Sequence, residues 1–225
     1  MALNFTISDW KAWFPTFDDT QPDVSVIPAM LRRRLSPAAR MAMSVMMPLA
    51  ETHGAMPLVY VSRHGDLHRT LQLLKDLANS ELLSPTAFSL SVHNATAGLF
   101  SIQQGLTKNI TAISCGDQEL IPAMLEALGQ CNAQEPKVMC VFCDEPPPNI
   151  YCEQVSQPEA PYAVALVISR GTDWQLASTG EFACDSAQEI PVPQPLEILS
   201  LLRGELPDKA FPHNKVLWQL RRNLL

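Results

Sequence analysis

The chain has 225 residues, a formal net charge of −7 at pH 7, and 47% hydrophobic against 17% charged residues. This composition is typical of a globular protein with a sizeable core, and the acidic balance argues against a nucleic-acid binder, which needs a basic face. It also argues, more weakly, against docking on anionic membranes.

Neither a signal peptide nor a membrane span is predicted. Residues 1–13 are mixed in character and carry an acid early, unlike a signal peptide. The longest apolar run, 38–50, is interrupted by Arg40, Ser44 and Pro48, and it is shorter than the roughly 20 residues that a membrane span needs. The expected location is the cytoplasm.

Six cysteines raise the question of disulfides or a metal site: Cys115, Cys131, Cys140, Cys143, Cys152 and Cys184. Cys140 and Cys143 form a Cys-x-x-Cys pattern, but they lie in an apolar run that indicates a buried strand. Residues three apart on a strand point to opposite faces, which suits zinc binding poorly. We therefore expect reduced thiols that act as small apolar side chains, with no metal and no cofactor.

The N-terminal quarter predicts an aromatic-rich segment followed by one helix. Residues 5–17 include Trp10 and Trp13, and a stretch rich in proline and aspartate follows. From 29 to 50, one apolar stripe recurs at helical spacing, formed by Leu31, Leu35, Ala38, Ala39, Ala42, Val45 and Met46. The arginines fall mostly off this stripe. Arg32, Arg33 and Arg34 lie either on a solvated face or on a docking surface for an acidic carrier protein.

From residue 58 onward, strands and helices alternate. The predicted strands are 58–62, 110–114, 138–143 and 163–169, and the predicted helices are 66–78, 94–104, 118–128, 196–203 and 216–225. Strands that are apolar almost throughout indicate a sheet covered on both faces. The loop 144–161 holds five prolines and is expected to lack regular structure. We predict one α/β domain over residues 1–225, with 1–55 as an N-terminal extension.

Residues 94–124 resemble the β-ketoacyl synthase family of the thiolase-like superfamily. In that family, Asn-x-x-Ala-Gly begins a helix, a glycine seven residues later ends it, and Thr-Ala-Cys follows a short strand at the start of a buried helix. The matching residues here are Asn94, Ala97, Gly98 and Gly105. Without a gap, Asp117 falls where the family has its nucleophilic cysteine.

The whole-chain pattern is most similar to short chain-length factors of type II polyketide-like pathways, including those that make aryl polyenes. The resemblance covers residues 1–205 and is carried by segments 32–36, 62–65, 84–94 and 144–148. It implies a thiolase-like fold in which a single N-terminal half, one mixed sheet flanked by helices, is completed by a partner subunit.

The resemblance also implies that the chain is not a catalyst. A condensing enzyme needs a thiolate at a helix N-terminus, where the helix dipole lowers the thiol pKa, and Asp117 removes that thiol. An acyl-aspartate is a mixed anhydride, poorly suited to hold a growing chain. Leu120 replaces a glycine that lies near the substrate in the family. The family's two catalytic histidines lie in a second half, so His53, His64, His68, His93 and His213 inherit no catalytic role.

Four alternatives stay open at this point. Cys115 lies two residues upstream and is poorly placed to act as a substitute nucleophile. A register slip of one residue would put Gln118 at the nucleophile position, where chain-length factors of aromatic polyketide systems carry glutamine. Beside the partner-subunit interpretation, two other functions stay open: an independent decarboxylase that uses Asp117 or Gln118, and a module that recruits carrier protein through Arg32, Arg33 and Arg34.

The expected partner is a full-length β-ketoacyl synthase in a heterodimer, with acyl carrier protein reached through the complex. In the family, the strand before the nucleophile pairs across the dimer axis. The interface candidates are Asn94, Ala97, Gly98, Ile110, Thr111, Ala112, Ile113 and Ser114. The candidates for a wall of the acyl tunnel are Phe88, Leu99 and Phe100.

Overall fold

The computed structural model describes residues 2–153, 160–181 and 192–223. Within these ranges seven strands form one mixed sheet, and seven helices and a 3-10 turn accompany it. The strands are β1 Ala2–Trp13, β2 Leu58–Val61, β3 Ile110–Ile113, β4 Lys137–Asp144, β5 Tyr162–Glu181, β6 Asp208–His213 and β7 Val216–Arg222. The helices are α1 Ala29–Arg32, α2 Pro37–His53, α3 Leu67–Ala78, α4 Pro85–Ser89, α5 Ala95–Gln104, α6 Leu120–Gln130 and α7 Gln194–Leu202, and the 3-10 turn is Asn149–Tyr151.

The sheet joins a parallel part to an antiparallel part through one long strand. The order is β3-β2-β4-β5-β7-β6, and β1 pairs with β5 beside this path. Strands β3, β2 and β4 are parallel to one another. Strand β5 is antiparallel to β4 along its first half and to β7 along its second half. The central sheet is therefore mixed, as the resemblance implies.

Both faces of the sheet are covered, and the alternation along β4 shows how. Val138, Cys140 and Phe142 pack into one apolar cluster with α6 and α7. Met139, Val141 and Cys143 pack into a second cluster with α2 and α5. Cys140 and Cys143 are free thiols on opposite faces, as the period-two geometry of a strand requires. Cys184 lies outside the described residues.

The predicted helix over 29–50 is two helices. Ser36 is extended and its hydroxyl accepts the Ala39 N–H at 3.2 Å, so it caps α2. Pro37 then occupies the first helical position, because proline lacks an N–H and keeps the preceding residue out of the helical region. The predicted apolar stripe of this segment is buried against the sheet.

The N-terminal segment is built into the sheet layer. Strand β1 pairs along β5 from Ala2↔Ala177 to Trp13↔Ala163, and α2 packs on the same sheet. Residues 1–55, predicted as an extension, therefore supply one strand of the sheet and a helix that covers one of its faces.

The predicted helix over 216–225 is wrong. Residues 216–222 form β7, which pairs with both β5 and β6. Asn214 and Lys215 have positive φ angles of 48° and 64°, the geometry of a tight hairpin turn between β6 and β7. Pairing with two neighbouring strands outweighs the apolar spacing that suggested a helix. Two smaller differences concern the 3-10 turn at Asn149–Tyr151, inside the loop predicted to be irregular, and α6, which begins at Leu120 instead of 118.

None of the helices in the described ranges combines the length and the apolar character that crossing a membrane requires.

Candidate functional site

The candidate site lies where the parallel strands end. Because parallel strands finish at the same edge of a sheet, the residues after β2, β3 and β4 meet there. Arg63 follows β2, Ser114 follows β3, and Asp144 is the last residue of β4. The Ser114 hydroxyl donates to the Arg63 carbonyl at 2.7 Å, which ties the first two ends together.

Arg63 is the centre of a buried charge cluster. Its side chain is 5% exposed, and its Nη1 donates to Asp117 Oδ1 at 3.0 Å. Its Nε lies 3.6 Å from Glu119 Oε2 and 3.8 Å from Asp144 Oδ2. Tyr162 completes the cluster, since its hydroxyl lies 2.5 Å from Glu119 and 3.2 Å from Asp144. One cation therefore faces three carboxyl groups in a largely dehydrated space.

Glu119 has a raised pKa in this cluster. Burial raises the pKa of Glu119 to about 8, the neighbouring Asp144 adds to the rise, and Tyr162 and Arg63 oppose it. Burial also raises the pKa of Asp144. A single phenolic proton cannot serve both carboxyl groups. The Tyr162 hydroxyl donates to Glu119 Oε1, which favours the carboxylate form of Glu119, and it also lies within reach of Asp144 Oδ2.

Asp144 is further fixed by donors at the end of β2. Its Oδ1 accepts from the Ser62 hydroxyl and from the Arg63 backbone N–H, both at 2.9 Å. The same Ser62 hydroxyl accepts the Gly65 N–H at 2.9 Å. These bonds hold the turn that leads into α3, whose first N–H groups are capped by Asp66.

Asp117 does not sit on the helix end that the sequence assigned to it. Gly116, with φ of 62°, and Asp117 form a turn, and α6 begins three residues later at Leu120. The Asp117 side chain is 47% exposed on its outer side and paired with Arg63 on its inner side. Leu120 is fully buried in the apolar cluster that also contains Ile121 and Met124.

Cys115 is a poor substitute for a catalytic thiol. Burial raises the pKa of the Cys115 thiol, and the charge of Glu119 adds to the rise. A nucleophilic cysteine needs the opposite shift, toward the thiolate.

Gln118 is held by the β6–β7 turn. Its side-chain Oε1 accepts the Asn214 N–H at 2.9 Å, and its carbonyl lies 3.2 Å from His213 Nδ1. The first N–H of α6, at Leu120, donates to Gln194 Oε1 at 3.3 Å, and the Gln194 amide donates to the Pro212 carbonyl at 3.0 Å.

Strand β3 is an open edge. Within the described residues it pairs with β2 alone. The carbonyls of Asn109 and Ile113 accept from β2 at 2.9 and 3.3 Å. Because backbone groups alternate in direction along a strand, the N–H and C=O groups of Ile110 and Ala112 point to the unpaired side. The predicted interface strand thus has free backbone groups on its outer edge.

Helix α5 packs beside β3, and its exposed residues are Ile102, Gln103 and Gln104. Ala97 and Phe100 are buried, whereas Ile102 is 79% exposed and Gly98 has open space where a Cβ would be. Gly105 ends the helix in the left-handed conformation, as its sequence position predicts. Asn94 is the N-cap residue but makes no side-chain capping hydrogen bond.

The three tunnel-wall candidates have different surroundings. Phe88 on α4 is 61% exposed and Leu99 is half-buried. Phe100 is buried and lines a cavity of about 110 Å³ with Met56, Leu58 and Met139, near the start of the parallel strands and away from Asp117.

The three arginines predicted as a docking patch differ in what they contact. Arg32 donates through Nη2 to the Ile27 carbonyl at 3.1 Å, so it is engaged by the chain itself. Arg33 and Arg34 are exposed.

The histidines hold local structure. His93 donates to the Ser62 carbonyl at 2.9 Å, His68 contacts the Pro146 carbonyl at 2.9 Å, and His53 pairs with Asp9 at 2.9 Å. The Nε2 atom of His64 is buried without a hydrogen-bond partner. Within the described part of the chain, no group of three or more His, Cys, Asp or Glu side chains is arranged to hold a metal ion.

Sequence reasoning missed the residues that organise this site. Arg63 belongs to segment 62–65 but has no predicted role of its own, and the sequence pattern predicts no role for Glu119 or Tyr162. A charged residue directly after an apolar strand, as at Arg63 and Asp144, is the signal that was available.

Comparison with known proteins identifies the family to which this fold belongs. The family model described as "Beta-ketoacyl synthase, N-terminal domain" matches residues 9–219, so the chain belongs to that family. No curated protein sequence matches the chain.

Among solved structures, the chain is similar over 98% of its length to the whole of a chain in "Ketosynthase (ApeO) in Complex with its Chain Length Factor (ApeC) from Xenorhabdus doucetiae", with a TM-score of 0.83 and 27% identity. The ishigamide ketosynthase/chain length factor matches 72% of this chain and 54% of its own chain, with a TM-score of 0.56 and 13% identity. A beta-ketoacyl synthase from Burkholderia phymatum STM815 matches 77% of this chain and 53% of its own, with a TM-score of 0.51 and 14% identity. The last two share the fold alone.

Proposed function

We propose that this chain is a non-catalytic chain-length-factor subunit that pairs with a full-length β-ketoacyl synthase. The observation that carries the proposal is the match of 98% of this chain to the whole of a chain in a ketosynthase–chain-length-factor complex. The synthase would perform the decarboxylative condensation on chains held by acyl carrier protein, and this subunit would supply one wall of the acyl tunnel. The resemblance of segments 32–36, 62–65, 84–94 and 144–148 favours an aryl-polyene type of pathway.

The open edge of β3 and the outer face of α5 support the proposed interface. An unpaired strand edge is a template for a strand of another chain. Large apolar side chains are exposed on the elements that precede it: Leu74, Leu77, Leu82, Phe88, Val92 and Ile102. A concentration of such side chains is typical of a surface that a partner covers.

The contacts of residues 115–119 support the absence of catalysis. Asp117 is an ion-pair partner of a buried arginine in a turn, and the Cys115 thiol is biased toward its protonated form. Neither group has the environment of an activated nucleophile.

Co-expression with a β-ketoacyl synthase from the same genome tests the pairing. We expect a stable complex with wild-type chain and loss of the complex with Gly98→Leu. The added side chain meets nothing within 4 Å of its Cβ in the chain itself, so the fold accommodates it while the interface does not.

Gly129→Leu is the matched control. Gly129 lies in α6, on the other face of the sheet, and a Cβ there also meets nothing within 4 Å. We expect this variant to bind the synthase like the wild type. A monomer that is stable and never associates with a synthase would overturn the proposal.

Asp117→Asn separates a scaffold from an independent decarboxylase. We expect the reconstituted complex to keep its condensation rate, because the chain does not perform the chemistry. Loss of turnover in an intact complex would instead assign a catalytic role to Asp117.

A further inference from the structure

The turn between β6 and β7 reaches across to the degenerate nucleophile loop, residues 115–119. The Asn214 N–H donates to Gln118 Oε1 at 2.9 Å, and His213 Nδ1 lies 3.2 Å from the Gln118 carbonyl. A carbonyl only accepts, so His213 carries its proton on Nδ1. Its Nε2 then accepts from the Asn214 side-chain amide at 3.0 Å. The three residues form one connected hydrogen-bond group.

The same loop is anchored at both of its ends. On one side Arg63 holds Asp117 at 3.0 Å. On the other, Gln194 links the first N–H of α6 to the Pro212 carbonyl at the end of β6. Between these anchors, Gln118 is the residue whose side chain the β6–β7 turn holds directly.

The loop continues directly from the open edge of β3. Gly116 and Asp117 are exposed beyond it. Gly116 has a φ of 62°, so the loop turns sharply at this point. Side-chain hydrogen bonds help a turn without regular pairing to keep one shape, because ordering a free backbone costs conformational entropy.

We propose that Gln118 is a positioning residue, through which the β6–β7 turn holds residues 115–119 in the shape that the synthase partner contacts. The inference rests on the proposed function and assigns the C-terminal hairpin a role in it. A loop already ordered in the free subunit loses less entropy on binding, so the complex is tighter. Loss of one such bond corresponds to about 1 kcal/mol, which is roughly a five-fold change in the dissociation constant.

The experiment compares Gln118→Met with Gln219→Met. Methionine matches glutamine in length but carries no amide oxygen to accept the Asn214 N–H. Gln219 lies on β7 of the same hairpin and donates to Asp208 at 2.6 Å on an exposed face, so its variant removes a hairpin bond that does not touch the loop. Dissociation constants for the purified synthase are measured by calorimetry, and thermal unfolding is measured on each free subunit.

We expect Gln118→Met to weaken the complex roughly five-fold relative to Gln219→Met, with similar unfolding midpoints for the two variants. Amide hydrogen exchange of 115–119 should rise in Gln118→Met while that of β4 and β5 does not change. His213→Ala, which removes the second contact, should act in the same direction.

Equal affinities for Gln118→Met and Gln219→Met, with wild-type subunit binding the synthase, would overturn this inference and leave the proposed function standing. Failure of the wild-type subunit to bind any synthase would overturn both.

Discussion

At the scale of single residues, the buried cluster around Arg63 dominates the candidate site. One guanidinium group serves Asp117, Glu119 and Asp144, and it links the end of β2 to the turn before α6 and to the end of β4. Buried ion pairs contribute little net stability compared with apolar packing, but removing one partner leaves uncompensated charge behind. The cluster therefore makes the geometry of the loop sensitive to Arg63.

Arg63→Met should lower the free energy of unfolding by about 3–5 kcal/mol, because it strands buried carboxyl groups without their cation. Arg69→Ala is the control. Arg69 pairs with Asp66 at 2.9 Å one helical turn into α3 and is more exposed, so its loss should cost about 1 kcal/mol or less. Urea titration monitored by circular dichroism measures both. Equal costs would show that the Arg63 cluster is not a buried network.

Glu119→Gln should change how stability depends on pH. The folded chain holds a proton on Glu119 up to about pH 8, whereas the unfolded chain releases it near the usual value of 4.5. The folded state therefore binds more protons across this range, and the contribution of Glu119 makes the free energy of unfolding fall as the pH rises from 4.5 to 8.

Chemical denaturation at pH 5 and pH 8 measures this effect. The wild type should lose stability relative to Glu119→Gln on going from pH 5 to pH 8, because the amide cannot ionise. Parallel curves for the two proteins would show that Glu119 is already ionised in the folded chain.

At the scale of secondary-structure elements, β3 is the strand on which the proposed assembly depends. Its inner backbone groups bond to β2, and its outer groups at Ile110 and Ala112 are free within the described residues. The inner backbone groups of β3 therefore contribute to folding, whereas its outer backbone groups are available to bind a partner.

Ala112→Pro should abolish binding to the synthase while the subunit stays folded. Proline at position 112 removes an N–H that points outward, so no bond to β2 is lost, but a partner strand loses its donor. Thr111→Pro is the control, since the N–H of residue 111 faces β2 and its loss should unfold the edge. Pull-down with the synthase and circular dichroism of the free subunit measure the two effects. Undiminished binding of Ala112→Pro would show that the partner does not pair with β3.

The elements that could be predicted from sequence are those whose pattern is local. Strands β2 and β4 are continuous apolar runs, and α5 ends at a glycine in the left-handed conformation, so each was located to within one or two residues. Strand β7 was not predicted, because the pairing with β5 and β6 decides its conformation. The Arg63 cluster could not be predicted from sequence either, because Arg63 contacts partners that are 54 and 81 positions away in the chain.

At the scale of the whole molecule, the chain has its own core on both faces of the sheet and still exposes large apolar side chains on α3, α4 and α5. An exposed apolar surface of this kind favours aggregation when no partner covers it. The folded subunit should therefore gain stability from its partner by mass action.

Thermal unfolding of the subunit with and without synthase tests this expectation. At a free synthase concentration 100 times the dissociation constant, the gain should be about 2.7 kcal/mol, which corresponds to about 5–10 °C for a protein of this size. The same titration with Gly98→Leu should give no shift. If adding the synthase did not change the unfolding midpoint of the wild-type subunit, that result would contradict the pairing.

The pairing of β1 with β5 has a consequence for how the chain is made. Ser8 on β1 bonds to Val167 on β5, 159 positions further along the chain. At translation rates of about 5–20 residues per second, β1 leaves the ribosome roughly 10 to 30 seconds before the strand it needs. Throughout that interval β1 lacks the strand with which it pairs. The first strand of the chain therefore finds its pairing partner late, and chaperones that shield an unpaired strand should matter most during synthesis of this subunit.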